Sequence, residues 1–328
     1  MTGFRIATFN LENFGKPSDS GVPAAERAAF LRPQLLRLRA DVLCLQEVDS
    51  QRPEGGGERR FDMLDQLLAG TPYRDFERVS THSRRGGGPR DRHNLVVLSR
   101  LPIVRDRQLL HDLVAPPSYR PLAAPEAQAP PATIEWDRPI LQVEIAFPDG
   151  RRLHVVNVHL RAPRAAFIAG EKVAQAWRSL SGWAEGFFLA AVKGAGQALE
   201  TRLVVEALFD ADPDALIAVA GDFNADAHEA PVRIVRGDEE DAGNPHLAAR
   251  TLVPVERSLA DSRRFSVVHH GRLRMLDHVL VSRALLGWYQ GVEIHNEALG
   301  DEAAGGSARG SPESFHAPVV AEFQPPFG

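Results

Sequence analysis

Six stretches of this chain put carboxylates, amides and imidazoles where apolar runs end. They are Phe9-Asn10-Leu11-Glu12-Asn13, Leu45-Gln46-Glu47, Val156-Asn157-Val158-His159-Leu160, Ala220-Gly221-Asp222-Phe223-Asn224, Leu276-Asp277-His278-Val279 and Ser314-Phe315-His316-Ala317-Pro318. Strand side chains alternate between faces, so Asn10/Glu12, Asn157/His159 and Asp222/Asn224 are each same-side pairs. Such groups are costly to bury singly, but gathered at one edge of a sandwich they make a polar floor. Phosphate ester cleavage needs what this floor could supply. Carboxylate oxygens hold a hard divalent cation, and Mg²⁺ takes only one or two of them, keeping water and phosphate for the rest. A water must be oriented and deprotonated, by a carboxylate or by the ion. His and Asn donate to the charge developing on phosphate oxygens. An imidazole needs a partner to fix its tautomer, commonly a carboxylate.

The elements that must position these groups are short β-type runs spread along the whole chain: Phe4–Phe9, Val42–Gln46, Leu95–Leu98, Ile140–Ala146, Leu153–Val158, Leu216–Ala220, Val279–Val281 and Val319–Phe323. Several are apolar on both faces, as in strands buried between layers. Helical patterns lie between them. Ala24–Leu38 is interrupted or bent near Pro33, and Gln197–Phe209 repeats Leu199, Leu203 and Ala207 every four residues. Phe167–Lys193 reads as one or two helices broken near Gly182 or Gly186. Gly55–Gly57, Arg84–Asp91, His111–Thr133 and Leu299–Glu313 read as loops.

Composition bounds the rest. The 328 residues are 44% hydrophobic and 25% charged, enough for one large α/β domain or two small ones. Polar motifs from both halves must meet at one site, so the expectation is a single domain, 1–328. A net charge of −5 gives no basic excess of the kind that tracks nucleic acid, although Arg84, Arg85, Arg90 and Arg92 cluster locally. The single cysteine, Cys44, rules out an internal disulfide and a cysteine metal cluster, and fits a reducing compartment. No signal peptide or membrane-spanning stretch is visible, so the expected address is cytoplasmic, without stable membrane insertion.

The motifs, taken together, resemble the endonuclease/exonuclease/phosphatase family. The matching segments, in the family's order, are Thr8-Phe-Asn-Leu-Glu-Asn13, Leu45-Gln-Glu47, Asn94-Leu-Val-Val-Leu-Ser-Arg100, Asn157-Val-His-Leu160, Gly221-Asp-Phe-Asn224, Leu276-Asp-His-Val279 and Ser314-Phe-His-Ala-Pro318. The resemblance implies a four-layer α/β sandwich: two mixed sheets face to face with helices outside. It implies Mg²⁺ or Mn²⁺ on Glu47, with Asn10 beside it. Asp222 would orient or deprotonate the water, Asn224 would contact the scissile phosphate, and His159 would bind phosphate. His316, with Asp277 as its carboxylate partner, would act on the phosphate or the leaving group. Asn94, Arg138 and Asn157 would line the substrate site. The last motif departs from the family: Phe315 stands where an Asp usually precedes the histidine, which leaves the metal to Glu47 and Asn10, or recruits Glu12 or Glu313. His278, where an aromatic is common, departs more mildly.

The expected function is in-line attack of water on a phosphodiester, with nucleic acid ahead of phospholipid. A phosphomonoesterase is the enzymatic alternative. A non-catalytic phosphate-ligand-binding protein, suggested by Phe315, is the alternative from another class. The Arg84–Arg92 cluster reads as a solvated loop rather than a backbone clamp. Trp177, Trp183, Phe187 and Phe188 read as core packing, and an exposed patch there would favour lipid.

Overall fold

The structure, a computed structural model, describes residues 3–15, 22–84, 86–123, 131–174, 176–303 and 312–326. In chain order the main strands are β1 (Phe4–Phe14), β2 (Val42–Val48), β3 (Glu77–Ser80), β4 (Asn94–Ser99), β5 (Ile103–Leu109), β6 (Ile140–Ala146), β7 (Arg152–His159), β8 (Leu216–Asp222), β9 (Val253–Pro254), β10 (Asp277–Val281), β11 (Tyr289–Ile294) and β12 (Val319–Phe323). The larger helices are α1 (Ala24–Leu38), α2 (Asp62–Leu68), α3 (Leu180–Ala211) and α4 (Ala230–Arg236). One six-stranded sheet has the order β11-β12-β1-β2-β4-β3, the other β9-β10-β8-β7-β6-β5. Each is mixed, with one parallel pair at its centre: β1/β2 in the first, β7/β8 in the second.

Burial sorts the side chains into layers. Ile6, Val42, Cys44 and Val97 of one sheet pack with Val143, Val155, Ala218 and Val279 of the other. On the outer face of the first sheet, Phe9, Leu43 and Leu45 meet Leu31 and Leu35 of α1 and Leu64 of α2. On the outer face of the second, Val156, Ile217 and Val219 meet Val204, Val205 and Phe209 of α3 and Val232 of α4. This is the expected four-layer α/β sandwich. The inner-face alternation turns polar only at one end of the strands: Ile6-Thr8-Asn10 in β1, Val155-Asn157-His159 in β7, and Ala218-Ala220-Asp222 in β8.

The helices correct the sequence reading in two places. Pro33 does not interrupt α1, because it lies on the exposed side of a continuous helix, where water can satisfy the carbonyl it leaves free. The glycine-rich aromatic stretch is neither broken at Gly182 or Gly186 nor helical from Phe167: α3 runs unbroken from Leu180 to Ala211. Its glycines are sites of close approach. A Cβ at Gly186 would lie 2.5 Å from the Ala166 carbonyl oxygen, and one at Gly196 2.1 Å from the Trp136 ring. The outer strands β3, β5 and β11 escaped the sequence reading because they are edge strands rich in exposed polar residues.

Candidate active site

The topology brings the polar strand ends to one edge. β1, β2, β7 and β8 finish there. β4 and β10, antiparallel to β2 and β8, begin there, and the segment leading into β12 crosses it. Register then sets a row across the second sheet: His159 is opposite Asp222, which is opposite Asp277.

Asp222 is the hub. Its Oδ2 accepts hydrogen bonds from the side-chain amides of Asn10 and Asn224, 3.0 Å each, and its Oδ1 accepts the Asn224 backbone N–H at 2.7 Å. His159 Nε2 lies 3.3 Å from Asp222 Oδ2 and 3.6 Å from Glu47 Oε1, so this buried ring links the two carboxylates. Burial, and then the neighbouring Asp277, push the Asp222 carboxyl up to about 7, against the pull of His316 and the Asn224 N–H. Burial also drives His159 well below the usual histidine range, helped by Arg138 and by the imidazoles of His93 and His316.

His316 and Asp277 form a dyad, Nδ1 to Oδ2 at 2.8 Å. Burial opposes charge on the His316 ring, but the carboxylates of Asp277 and Asp222 outweigh it and hold the ring well above its ordinary value. Donor atoms of Asp222, Asp277 and His316 all lie within 4.8 Å of one another. The second oxygen of Asp277, Oδ1, is buried without a hydrogen-bond partner.

Glu47 sits across from this row. Its Oε2 accepts the Asn13 N–H at 2.9 Å, and His93 Nδ1 lies 3.7 Å from the same oxygen. The Phe315 ring lies beside Gly300, where an added Cβ would come 3.4 Å from it, while its backbone N–H donates to Glu12 Oε2 at 2.8 Å. Glu12 is thereby held at the position where sequence reasoning sought a replacement acid. Burial raises its carboxyl above the ordinary range, with Glu47 adding repulsion against the opposing pull of His316. Glu12, Asn13, Glu47, His93 and Asn224 all adopt left-handed backbone, with φ between 48° and 57°. Nine non-glycine residues do so among those described, and five of them are at this edge, so strain is concentrated where the functional groups are aimed.

Not every expected residue reaches the centre. Asn157 spends its amide on the other sheet: Nδ2 donates to the Leu45 and Val96 carbonyls, 3.1 Å each, and Oδ1 accepts from Gln46 at 2.8 Å. Asn94 donates to the carbonyls of Val48 and Arg90 and accepts from Thr81 and the Arg90 N–H. Both are buried clamps beneath the site rather than substrate contacts, because their hydrogen-bonding capacity is already committed. Asn10 turns its nitrogen to Asp222 and its oxygen to the Glu12 N–H, and Asn224 gives its amide protons to Asp222 and the Leu160 carbonyl at 3.1 Å. Their geometry orients Asp222. Arg138 does reach the site, within the electrostatic range of Glu47 and Asp222, and its Nε is buried without a partner. The Arg84–Arg92 cluster disperses: Arg84 turns to the Leu110 carbonyl and Asp112, Arg90 donates to the Asp137 carbonyl at 3.0 Å, and Arg85 lies outside the described residues. His93 was missed. Its only signal was its place beside Asn94 at the head of β4.

The endonuclease/exonuclease/phosphatase family model matches residues 7–311. No curated protein sequence matches the chain. Solved structures match it at low identity and share its fold. An endonuclease/exonuclease/phosphatase from Bacteroides vulgatus is 15% identical, with 99% of each chain covered and a TM-score of 0.57. The human Nocturnin catalytic domain, with bound sulfate anion, is 14% identical, with 98% of this chain and 94% of that one covered and a TM-score of 0.55. TDP2 of D. rerio, complexed with single strand DNA product, is 13% identical, with 99% and 100% covered and a TM-score of 0.54. With the family model spanning nearly its whole length and the motif residues gathered at one sandwich edge, the chain belongs to the endonuclease/exonuclease/phosphatase family.

Proposed function

We propose that this protein hydrolyses phosphodiesters by direct attack of water, with Asp222 as the base. The observation that carries the reading is the row His159–Asp222–Asp277–His316 facing Glu47. It pairs a carboxylate raised to about 7 with a histidine held protonated 2.8 Å from its own carboxylate. Asn10 and Asn224 fix the Asp222 oxygens so that one carboxylate edge is presented to a water. His316, with Nδ1 taken by Asp277, has Nε2 left to donate to a phosphate oxygen or to the departing oxygen. Arg138 supplies a donor on the opposite wall, while the neutral His159 ring turns its Nε2 to Asp222 and Glu47 and holds them in place. The sulfate on Nocturnin and the DNA product on TDP2, both similar in fold, support a site for tetrahedral phosphorus in nucleic-acid or related diesters.

A divalent ion fits this chemistry. The Glu47 charge helps to raise the Glu12 carboxyl even though the Arg27 guanidinium acts on both acids, and Asp277 keeps an orphaned buried oxygen. Glu47, with Glu12 in place of the acid absent at 315, would hold Mg²⁺ or Mn²⁺; once bound, the ion supplies positive charge to the phosphate and acidifies its own water. Saturating Mn²⁺ is therefore expected to raise the melting temperature over that in EDTA by a few degrees, since an ion at 100 times its Kd adds about 2.7 kcal/mol. Glu47→Ala should abolish the shift and Glu12→Gln should shrink it. An unchanged shift in Glu12→Gln would remove Glu12 from the ligand set.

Hydrolysis of bis-p-nitrophenyl phosphate in Mg²⁺, Mn²⁺ or EDTA, beside p-nitrophenyl phosphate, tests the activity. Metal-dependent turnover of the diester, lost in His159→Ala, is the expected result. Turnover of the monoester alone would make this a phosphomonoesterase. Phosphate binding without turnover at saturating Mn²⁺ would make it a binding protein.

A further inference from the structure

We infer that the N-terminal half of α3 is a docking face for an anionic phospholipid surface, holding the catalytic edge against a membrane. α3 runs back along the second sheet from the catalytic edge, and Gln197 marks that edge: its Oε1 accepts the Arg161 N–H just past β7, and its Nε2 donates to the Arg138 carbonyl. Leu180 to Gly196 therefore stand beyond the strand ends, a projection of about 25 Å at 1.5 Å per residue.

This projection is apolar on the outside. Leu180, Trp183, Phe187 and Phe188 are 84%, 44%, 40% and 49% exposed, and Phe167, on the preceding loop, is 70% exposed. Positions 180, 183 and 187 share one helix face, and the Trp183 and Phe187 rings lie 5.7 Å apart. Of the fifteen large apolar side chains exposed among the described residues, six fall between Phe167 and Phe188, so this is a patch and not scatter. The expectation of core packing fails for Trp183, Phe187 and Phe188 because the helix outruns the sheet that would bury them, while Trp177, ahead of α3, is half-buried with its ring against Gly186.

The patch is also held rigidly. The Ala166 N–H donates to the Gly186 carbonyl, and Glu185 accepts from Tyr119 Oη and from the N–H groups of Leu122 and Ala123. Charge then selects the occupant. Between Arg161 and Lys193 the chain carries five basic residues against two acidic ones, in a protein of net charge −5; Arg161 and Lys193 pair with Asp137, which leaves Arg164, Lys172 and Arg178. Both acids are engaged internally: Glu185 as above, and Glu171 with Ser179 Oγ at 2.6 Å. Arg164 and Arg178 are exposed on the segment that packs against this helix, and the Lys172 ammonium lies 5.4 Å from the centre of the Trp177 ring. A rigid amphipathic helix with aromatics outward and a basic margin matches a bilayer interface of anionic lipid. Aliphatic Leu180 and Val173 in the same patch fit acyl chains better than stacked bases.

What the docking delivers, a phosphodiester presented at a membrane, rests on the proposed activity, but binding is measured without turnover. The protein should sediment with mixed phosphatidylcholine/phosphatidylglycerol vesicles, less with phosphatidylcholine alone, and less in high salt. Trp183→Ser/Phe187→Ser should weaken this binding by about tenfold or more, and Arg164→Glu/Lys172→Glu should also weaken it. Both variants should keep the wild-type rate on bis-p-nitrophenyl phosphate. Wild-type protein left in the supernatant with both vesicle types, or a double aromatic variant that binds as well as wild type, overturns the inference. So does loss, in that variant, of binding to a single-stranded oligonucleotide in place of vesicles, which would make the face a base-stacking platform.

Discussion

With Asp222 as the proposed base, Asp222→Asn should lower kcat on a diester by about 10²–10⁴, the usual contribution of a positioned general base, and should leave the fold intact. The substitution preserves volume at the centre of the site but removes the proton acceptor, and it sets an amide where Asn10 and Asn224 already point donors. The pH dependence follows from the same group. With its carboxyl raised to about 7, Asp222 is protonated and idle at acidic pH, so the rate should climb with pH through that region, a bound cation moving the limb downward. The raised value also has a cost in stability. A carboxyl whose folded pKa lies above its unfolded one contributes stability that is present below about 4 and lost as pH rises through about 7. The working, ionised form is thus the less stable one, as is common where function needs a strained group. A flat rate profile across this range, with Asp222→Asn retaining activity, would move the base elsewhere, to His93 or Glu12.

The sandwich was legible because its central strands are apolar runs with a period of two, ended by residues no core would choose. The row His159, Asp222, Asp277 and His316 was legible for the same reason, and register alone sets the first three side by side. Two kinds of feature were not. Asn94 and Asn157 look identical in sequence to site amides, and only their partners, backbone carbonyls across and beneath the strand ends, reveal them as clamps. The outward aromatics of α3 look identical to a core stripe, because periodicity says which residues share a face but not whether a sheet lies behind it. Trp183 and Phe187 lack one only because the helix is longer than the strands it follows.

His278 gives the largest expected loss of stability. It stands as an imidazole where an aromatic is common, and it faces outward from β10, away from the row His159–Asp222–Asp277. Its Nδ1 lies 2.5 Å from Glu256 Oε1, its Nε2 lies 2.8 Å from the Ala225 carbonyl, and its ring meets Phe223 edge-on at 5.2 Å. Both members of this pair are buried, and Glu256 Oε2 has no partner. His278→Ala strips the counter-charge from a buried carboxylate and the donor from Ala225, one residue past Asn224. Breaking a buried pair from one side costs about 3–5 kcal/mol, read as a fall in the denaturation midpoint. The pair also has a pH signature. Burial opposes the charged ring, but Glu256 prevails and raises its pKa, so its stabilisation is complete below about 6.5 and is lost as pH rises through the raised folded value. Replacing both partners by apolar residues, His278→Phe with Glu256→Leu, removes the two charges together. It should recover most of the stability lost in His278→Ala and flatten this part of the stability–pH curve. If the double variant is as unstable as His278→Ala, the pair's value lies in its hold on the Ala225 carbonyl and the turn carrying Asn224, and the loss should then appear in kcat as well as in the denaturation midpoint.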